Sequence, residues 1–157
     1  MKTARRRARE FVVQGIYQWT LNPEQTAAQI EHHLQENDLF KKADAPLFQT
    51  LLHGVLKDNL LLTEQLSPYY DRDHAQISPI ERAVLLMAAL ELTQHPETPY
   101  PVILNEAIEI TKTFGGIDGH KFVNGVLDKL ASHTRADEVQ AFQAKRQPRA
   151  RNHSTTR

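Results

Sequence analysis

The sequence predicts an all-α protein built as two packed three-helix bundles, and three observations carry that prediction. Apolar residues recur at spacings of three and four almost throughout, and no segment alternates as a half-buried strand does. Breaks at Asn22-Pro23, Ser67-Pro68, Ser78-Pro79, the Pro96/Pro99/Pro101 run and Gly115 to Gly119 cut the chain into helix-sized pieces. The 157 residues are 40% hydrophobic and 24% charged, which suits one soluble domain or two small halves sharing a core.

The first helix is expected from about Thr3 to Trp19. Ala4, Ala8, Phe11, Val12, Gly15, Ile16 and Trp19 form one apolar stripe, while Lys2, Arg5, Arg6 and Arg9 lie largely on another face, with Arg7 at the flank. Asn22 is a candidate cap, with Pro23 in the first turn of a second helix running through Asn37. A third helix spans Asp44 to Leu66, with Phe48, Leu51, Leu52, Val55, Asn59, Leu62 and Leu66 on one side. Tyr69 to Ile77 reads as a turn or broken helix.

Ser78-Pro79 starts a fourth helix in which only Glu91 is polar between Ala83 and Leu92, so it should be central and buried on most sides. A fifth runs through Phe114. In the Gly115–Gly119 break, glycine can stop a helix in the left-handed conformation and Asp118 can cap the next one. The last core helix spans about His120 to Ala131. The expected organisation is one domain over residues 1–135, with sub-bundles at about 1–70 and 78–132. Residues 136–157 should form a loose helix and a disordered basic tail. Gly15, Gly54 and Gly125 fall inside helices, where glycine costs about 1 kcal/mol relative to alanine, and close helix approach would explain them.

Nineteen basic and nineteen acidic residues balance, but not evenly along the chain. Residues 1–10 carry a net +4 and residues 145–157 a net +5, which leaves −9 for the rest. Basic ends on an acidic body point to two different partners. Cysteine is absent, so disulfides, thiolate metal sites and cysteine nucleophiles are excluded, and a reducing cytoplasm is the expected location. No apolar run approaches the ~18–20 residues needed to span a bilayer, so no membrane partner is expected.

Four arginines in the first turns of a helix oppose its macrodipole by roughly 0.3–1 kcal/mol each, which favours an anionic partner over a purely stabilising role. Guanidinium groups held on a packed helix suit phosphate through their planar donor fork, although a solvated basic end would look the same. Tyr17 near the arginine face, Tyr69 and Tyr70 after Pro68, and Phe122 beside Lys121 offer rings on which unpaired bases stack. For Phe122, periodicity alone favours core packing. His32 and His33 diverge on a helix and no His-Glu-x-x-His spacing occurs, so no metal is expected. Gly115 to Lys121 lacks the Gly-Lys-Ser/Thr ending of a nucleotide-hydrolysis loop, and a helix connection explains it. Glu91 reads as a paired structural carboxylate. No catalytic set and no cofactor site emerges.

Three blocks stand out together: Ala4-Arg5-Arg6-Arg7-Ala8-Arg9-Glu10 with Gln14-Gly15-Ile16-Tyr17-Gln18-Trp19, and Ser78-Pro79-Ile80-Glu81-Arg82-Ala83-Val84-Leu85 with Glu91-Leu92. The third and most specific is Pro99-Tyr100-Pro101-Val102-Ile103-Leu104-Asn105-Glu106-Ala107, then Lys112-Thr113-Phe114-Gly115, then His120 through Lys129. In these blocks the chain resembles the NusB family of bacterial antitermination factors, and the resemblance covers roughly residues 2–131. It implies a protein that pairs with NusE, a small-subunit ribosomal protein, and binds the boxA element of nascent ribosomal RNA transcripts within the antitermination complex on RNA polymerase. By motif, Lys2, Arg5, Arg6, Arg7 and Arg9 would contact phosphates. Tyr17, Tyr69, Asp118, Lys121 and Phe122 would complete the RNA surface, and Glu81 with Arg82 would face NusE. Homodimerisation that hides the RNA surface is left open. A NusB-like domain also fronts ribosomal RNA cytosine methyltransferases, but that chemistry needs the cysteine nucleophile this sequence lacks.

Overall fold

The computed structural model describes residues 2–114, 116 and 118–146, and among these every regular element is helical. The α-helices are α1 (Ala4–Leu21), α2 (Ala27–Leu34), α3 (Ala45–Leu66), α4 (Pro79–Gln94), α5 (Tyr100–Phe114), α6 (Gly119–Thr134) and α7 (Ala136–Arg146). Short 3-10 turns occupy Asp38–Lys42, Ser67–Tyr69 and His74–Gln76. α4 is the shared axis. It packs against α1 and α3 on one side and against α5 and α6 on the other, so a single apolar cluster runs through both halves. This is why Ala83 to Leu92 carries almost no polar side chain: every residue of that run is buried.

Helix starts follow local chemistry. The Thr3 hydroxyl accepts from Arg6 N–H, the Asp44 carboxylate from Leu47 N–H, and the Ser78 hydroxyl from Glu81 N–H. α2 differs from the sequence expectation. Asn22-Pro23 does not start it; Thr26 does, through a capping box with Gln29 that satisfies two N–H donors reciprocally. The helix also ends early, and Asn37 caps the following 3-10 turn that inserts Phe40 between Phe11 and Phe48.

Three other expectations change. Gly54 does mark a close approach, since a Cβ there would lie 2.8 Å from Leu90 Cδ2, but Gly125 has nothing within 4 Å of that position. Gly115, which opens the break, lies outside the described residues; Gly116 and Gly119 do not adopt left-handed backbone angles, and the Asp118 side chain, at the cap position of α6, accepts no capping hydrogen bond, its carboxylate lying 3.5 Å from Lys121 Nζ. α7 is docked rather than loose. Val139 is buried, Phe142 packs edge-on to Tyr100, and the Glu138 carboxylate accepts from Tyr100 N–H at 2.7 Å. Arg135 holds the junction: its guanidinium donates to the carbonyls of Glu91, Leu92, His95 and Thr98, closing the C-terminal end of α4. The basic segment beyond Arg146 lies outside the described residues.

Candidate nucleic-acid interface

The start of α1 is held by single carboxylates from α4 and α5 and from the cap of α3. Arg9 is 2% exposed and grips Glu91 of α4 with two hydrogen bonds, Nε to Oε2 at 3.0 Å and Nη2 to Oε1 at 2.8 Å. Its remaining nitrogen reaches Glu106 of α5 at 3.4 Å. Arg6 donates to the same Glu106 through Nε at 2.9 Å and through Nη2. Lys2 bonds Glu10 at 2.9 Å, and Arg5 stands 3.8 Å from Asp44. The Asp44 N–H also donates to Ala4 O, tying the start of α3 to that of α1.

These pairs alter the sequence reading. Most of the cations that oppose the α1 macrodipole find their anions inside the chain. Arg9 is corrected from a phosphate contact to a buried ion pair, because no RNA can reach a guanidinium enclosed by α4 and α5. Burial alone would lower the Arg9 pKa, but the hydrogen bonds and charge of Glu91, with Glu106 behind them, raise it instead. Burial likewise pushes the Glu106 carboxyl up, and the hydrogen bonds and charges of Arg6 and Arg9 outweigh it, holding Glu106 below the usual carboxylate range. The Arg6 pKa is raised chiefly by its bond to Glu106, and that side chain is 23% exposed. Lys2 and Arg5 remain about half exposed. Arg7, half-buried, joins no salt bridge among the described residues. Lys2, Arg5 and Arg7 are thus the cations of this end most available to an external anion.

A second cluster gathers at the opposite end of α4. Phe122, in the first turn of α6, is 7% exposed, and its ring is covered by the Arg72 guanidinium, whose central carbon stands 4.0 Å from the ring centroid. Tyr70 flanks Phe122 at 6.0 Å between centroids and meets His74 edge-on at 5.0 Å. Tyr69 and Tyr70 are both half-buried against the hydrophobic core, and Tyr70 is the one whose ring adjoins Phe122. Burial raises the Tyr70 phenol pKa, with the nearby Arg82 charge opposing. Lys121 and Asp118 are exposed beside this cluster.

Glu81 and Arg82 belong to the same corner. A Cβ on Gly119 would lie 2.7 Å from Glu81 Oε2, so glycine there lets the carboxylate approach the start of α6, where the helix dipole favours a negative charge. The Glu81 carboxylate thus stands against Gly119, the first residue of α6 and the chain neighbour of Asp118. Tyr17, 37% exposed on α1, lies ten residues past Arg7, about 15 Å along the axis. The Glu81 and Arg9–Glu91 ends of α4 are separated by about the same distance. Sequence reading missed Arg72, because the irregular segment between α3 and α4 has no periodicity to place it. It also missed Glu106, for which the acid-rich middle of the chain was the available signal. No cluster of side chains suited to a metal ion occurs among the described residues, and no helix there is long and apolar enough to cross a membrane.

Two helical groups sharing α4, with ion pairs at one end and an aromatic–cationic cluster at the other, define an all-α double-bundle protein. The chain belongs to the NusB family, whose family model matches residues 6–132. It is 69% identical over 146 residues to the transcription antitermination protein NusB of Chromobacterium violaceum, covering 93% of this chain and 98% of that one. It is 58% identical over 146 residues to the protein of that name from Laribacter hongkongensis, covering 93% of this chain and 88% of that one. The solved structure of Thermotoga maritima NusB superposes with a TM-score of 0.71 at 30% identity, over 84% of this chain and 93% of that one.

Proposed function

We propose that this protein is a non-enzymatic, cytoplasmic transcription antitermination factor that binds single-stranded boxA-type RNA together with NusE. Its role would be to mark nascent ribosomal transcripts for the antitermination complex on RNA polymerase. The observation that carries the reading is the Tyr70–Arg72–Phe122–Lys121 corner. Ring faces next to exposed cations suit unpaired bases joined to phosphates better than they suit a folded duplex, whose bases are stacked away. The names of the relatives support the transcriptional role. Lys2, Arg5 and Arg7 supply phosphate contacts, Phe122 and Tyr70 supply stacking, and Lys121 holds the backbone between bases.

The NusE-facing side is assigned to Glu81 and Arg82 at the start of α4. Because they adjoin the RNA corner, the ribosomal protein and the RNA would share a border, and each should strengthen the other's binding. The test is an anisotropy titration of boxA and scrambled RNAs, each with and without NusE. The reading expects boxA to bind more tightly than the scrambled RNA and NusE to widen the gap. Equal binding of both RNAs under all conditions, or NusE binding that ignores RNA, would favour a protein-interaction scaffold instead.

A further inference from the structure

Arg72 has no role in the sequence reading, yet its side chain decides how Phe122 is buried. Phe122 is 7% exposed, but part of its cover is neither core nor helix. It is a guanidinium from the irregular segment between α3 and α4, whose residues 71–76 are all exposed. The only other polar partner of Arg72 among the described residues is its neighbour Asp71, which accepts from Nε at 3.0 Å. An exposed ion pair of that kind holds the side chain weakly, so the arginine is kept on the ring mainly by its cation–π contact, and a base stacked in its place would give it a new planar partner. Core side chains are not replaced so easily.

We propose that Arg72 and Phe122 form a clamp for one unpaired RNA base, with the guanidinium as the second stacking plate. The inference rests on the RNA-binding reading above and adds a residue to it. In the free protein the guanidinium carbon lies 4.0 Å over the ring centroid and covers that face of Phe122. When RNA binds, a base slides between them and is stacked on both sides, on the ring below and the guanidinium above. Tyr70 and His74 wall one edge of the slot, and Lys121 sits beside it to receive the following phosphate. A guanidinium is planar and weakly hydrated, so it suits this place; an ammonium has the charge but no plane.

The experiment compares the unchanged protein with Arg72→Lys, Arg72→Ala and Phe122→Leu. Each is titrated with a short single-stranded boxA-type RNA carrying 2-aminopurine at successive positions, over a range of salt concentrations. The clamp predicts that one labelled position is quenched on binding. Arg72→Lys should lose that quench and roughly 5- to 150-fold in affinity, the range of one base-stacking interaction, while keeping its salt slope. Arg72→Ala should lose the quench as well, with a slope shallower by up to about 0.7. Phe122→Leu should lose the quench at the same position. Arg72→Lys binding like the unchanged protein, quench included, would overturn the clamp and leave Arg72 a point charge. Tighter binding by Arg72→Ala would overturn it by showing a lid that obstructs Phe122. If the unchanged protein binds no RNA, the RNA reading itself fails and the clamp with it. Arg72 is on the surface, so melting temperatures close to that of the unchanged protein are expected for both Arg72 variants.

Discussion

Arg7 and Arg9 stand two residues apart in one basic run and have opposite surroundings. Helix geometry turns the second by about 200° from the first, which carries Arg9 into the seam between α1, α4 and α5. There it meets Glu91 and Glu106, while Arg7 stays outside any salt bridge among the described residues. A buried guanidinium of this kind contributes through its absence being costly: removing one partner leaves an uncompensated charge. Arg9→Met should therefore destabilise the fold by about 3–5 kcal/mol in urea unfolding. Under conditions where it stays folded, its RNA salt slope should equal that of the unchanged protein. A normal stability with a shallower slope would return Arg9 to the phosphate-binding set. From sequence, the two arginines differ only by phase on a helix. The stripe Ala8, Phe11, Val12, Ile16 is legible there, but burial around α1 extends to Arg9, Glu10 and Val13, so the polar face is narrower than the apolar pattern implies.

At the scale of elements, the helices most readable in the sequence are those whose ends carry a capping side chain or proline. The starts of α3 and α4 fall where Asp44 and Ser78-Pro79 place them. The start of α2 is ambiguous because Asn22-Pro23 and Thr26 both carry start signals and both are followed at the capping-box spacing by a glutamine, Gln25 and Gln29; the structure uses Thr26 with Gln29, while Gln25 accepts from the Gln18 side chain. α7 is expected from sequence as a loose helix, and its docking escapes that reading for another reason. Its docking depends on Arg135, which no periodic pattern reports, since an arginine bonding four backbone carbonyls leaves no trace in hydrophobic spacing. Arg135→Ala would leave carbonyls at the end of α4 without that donor, at roughly 1–3 kcal/mol for each buried group left unpaired. The expected outcome is a lowered urea midpoint and faster amide exchange across Ala136–Arg146. Exchange confined to its original rate would show that Val139 and Phe142 hold α7 without the arginine.

For the whole molecule, α4 separates two surfaces of different legibility. The family blocks and the basic run point to both ends of this helix, so the residues of the candidate RNA surface are largely identifiable from sequence. Their grouping is not. Tyr70 rather than Tyr69 adjoins Phe122, Arg72 covers that ring, and the Glu81 carboxylate stands against Gly119. Each of these relations joins segments far apart in sequence around the irregular connection before α4, where local spacing carries no information. Affinity then belongs to Lys2, Arg5 and Arg7, and selectivity to the aromatic corner about 15 Å away along α4. Arg5→Ala combined with Arg7→Ala tests it most directly, by filter binding of a boxA-type RNA over a series of salt concentrations. The account predicts weaker binding and a log–log slope shallower by about 0.7 for each phosphate no longer neutralised, with boxA still preferred over scrambled RNA. An unchanged affinity and slope would contradict it.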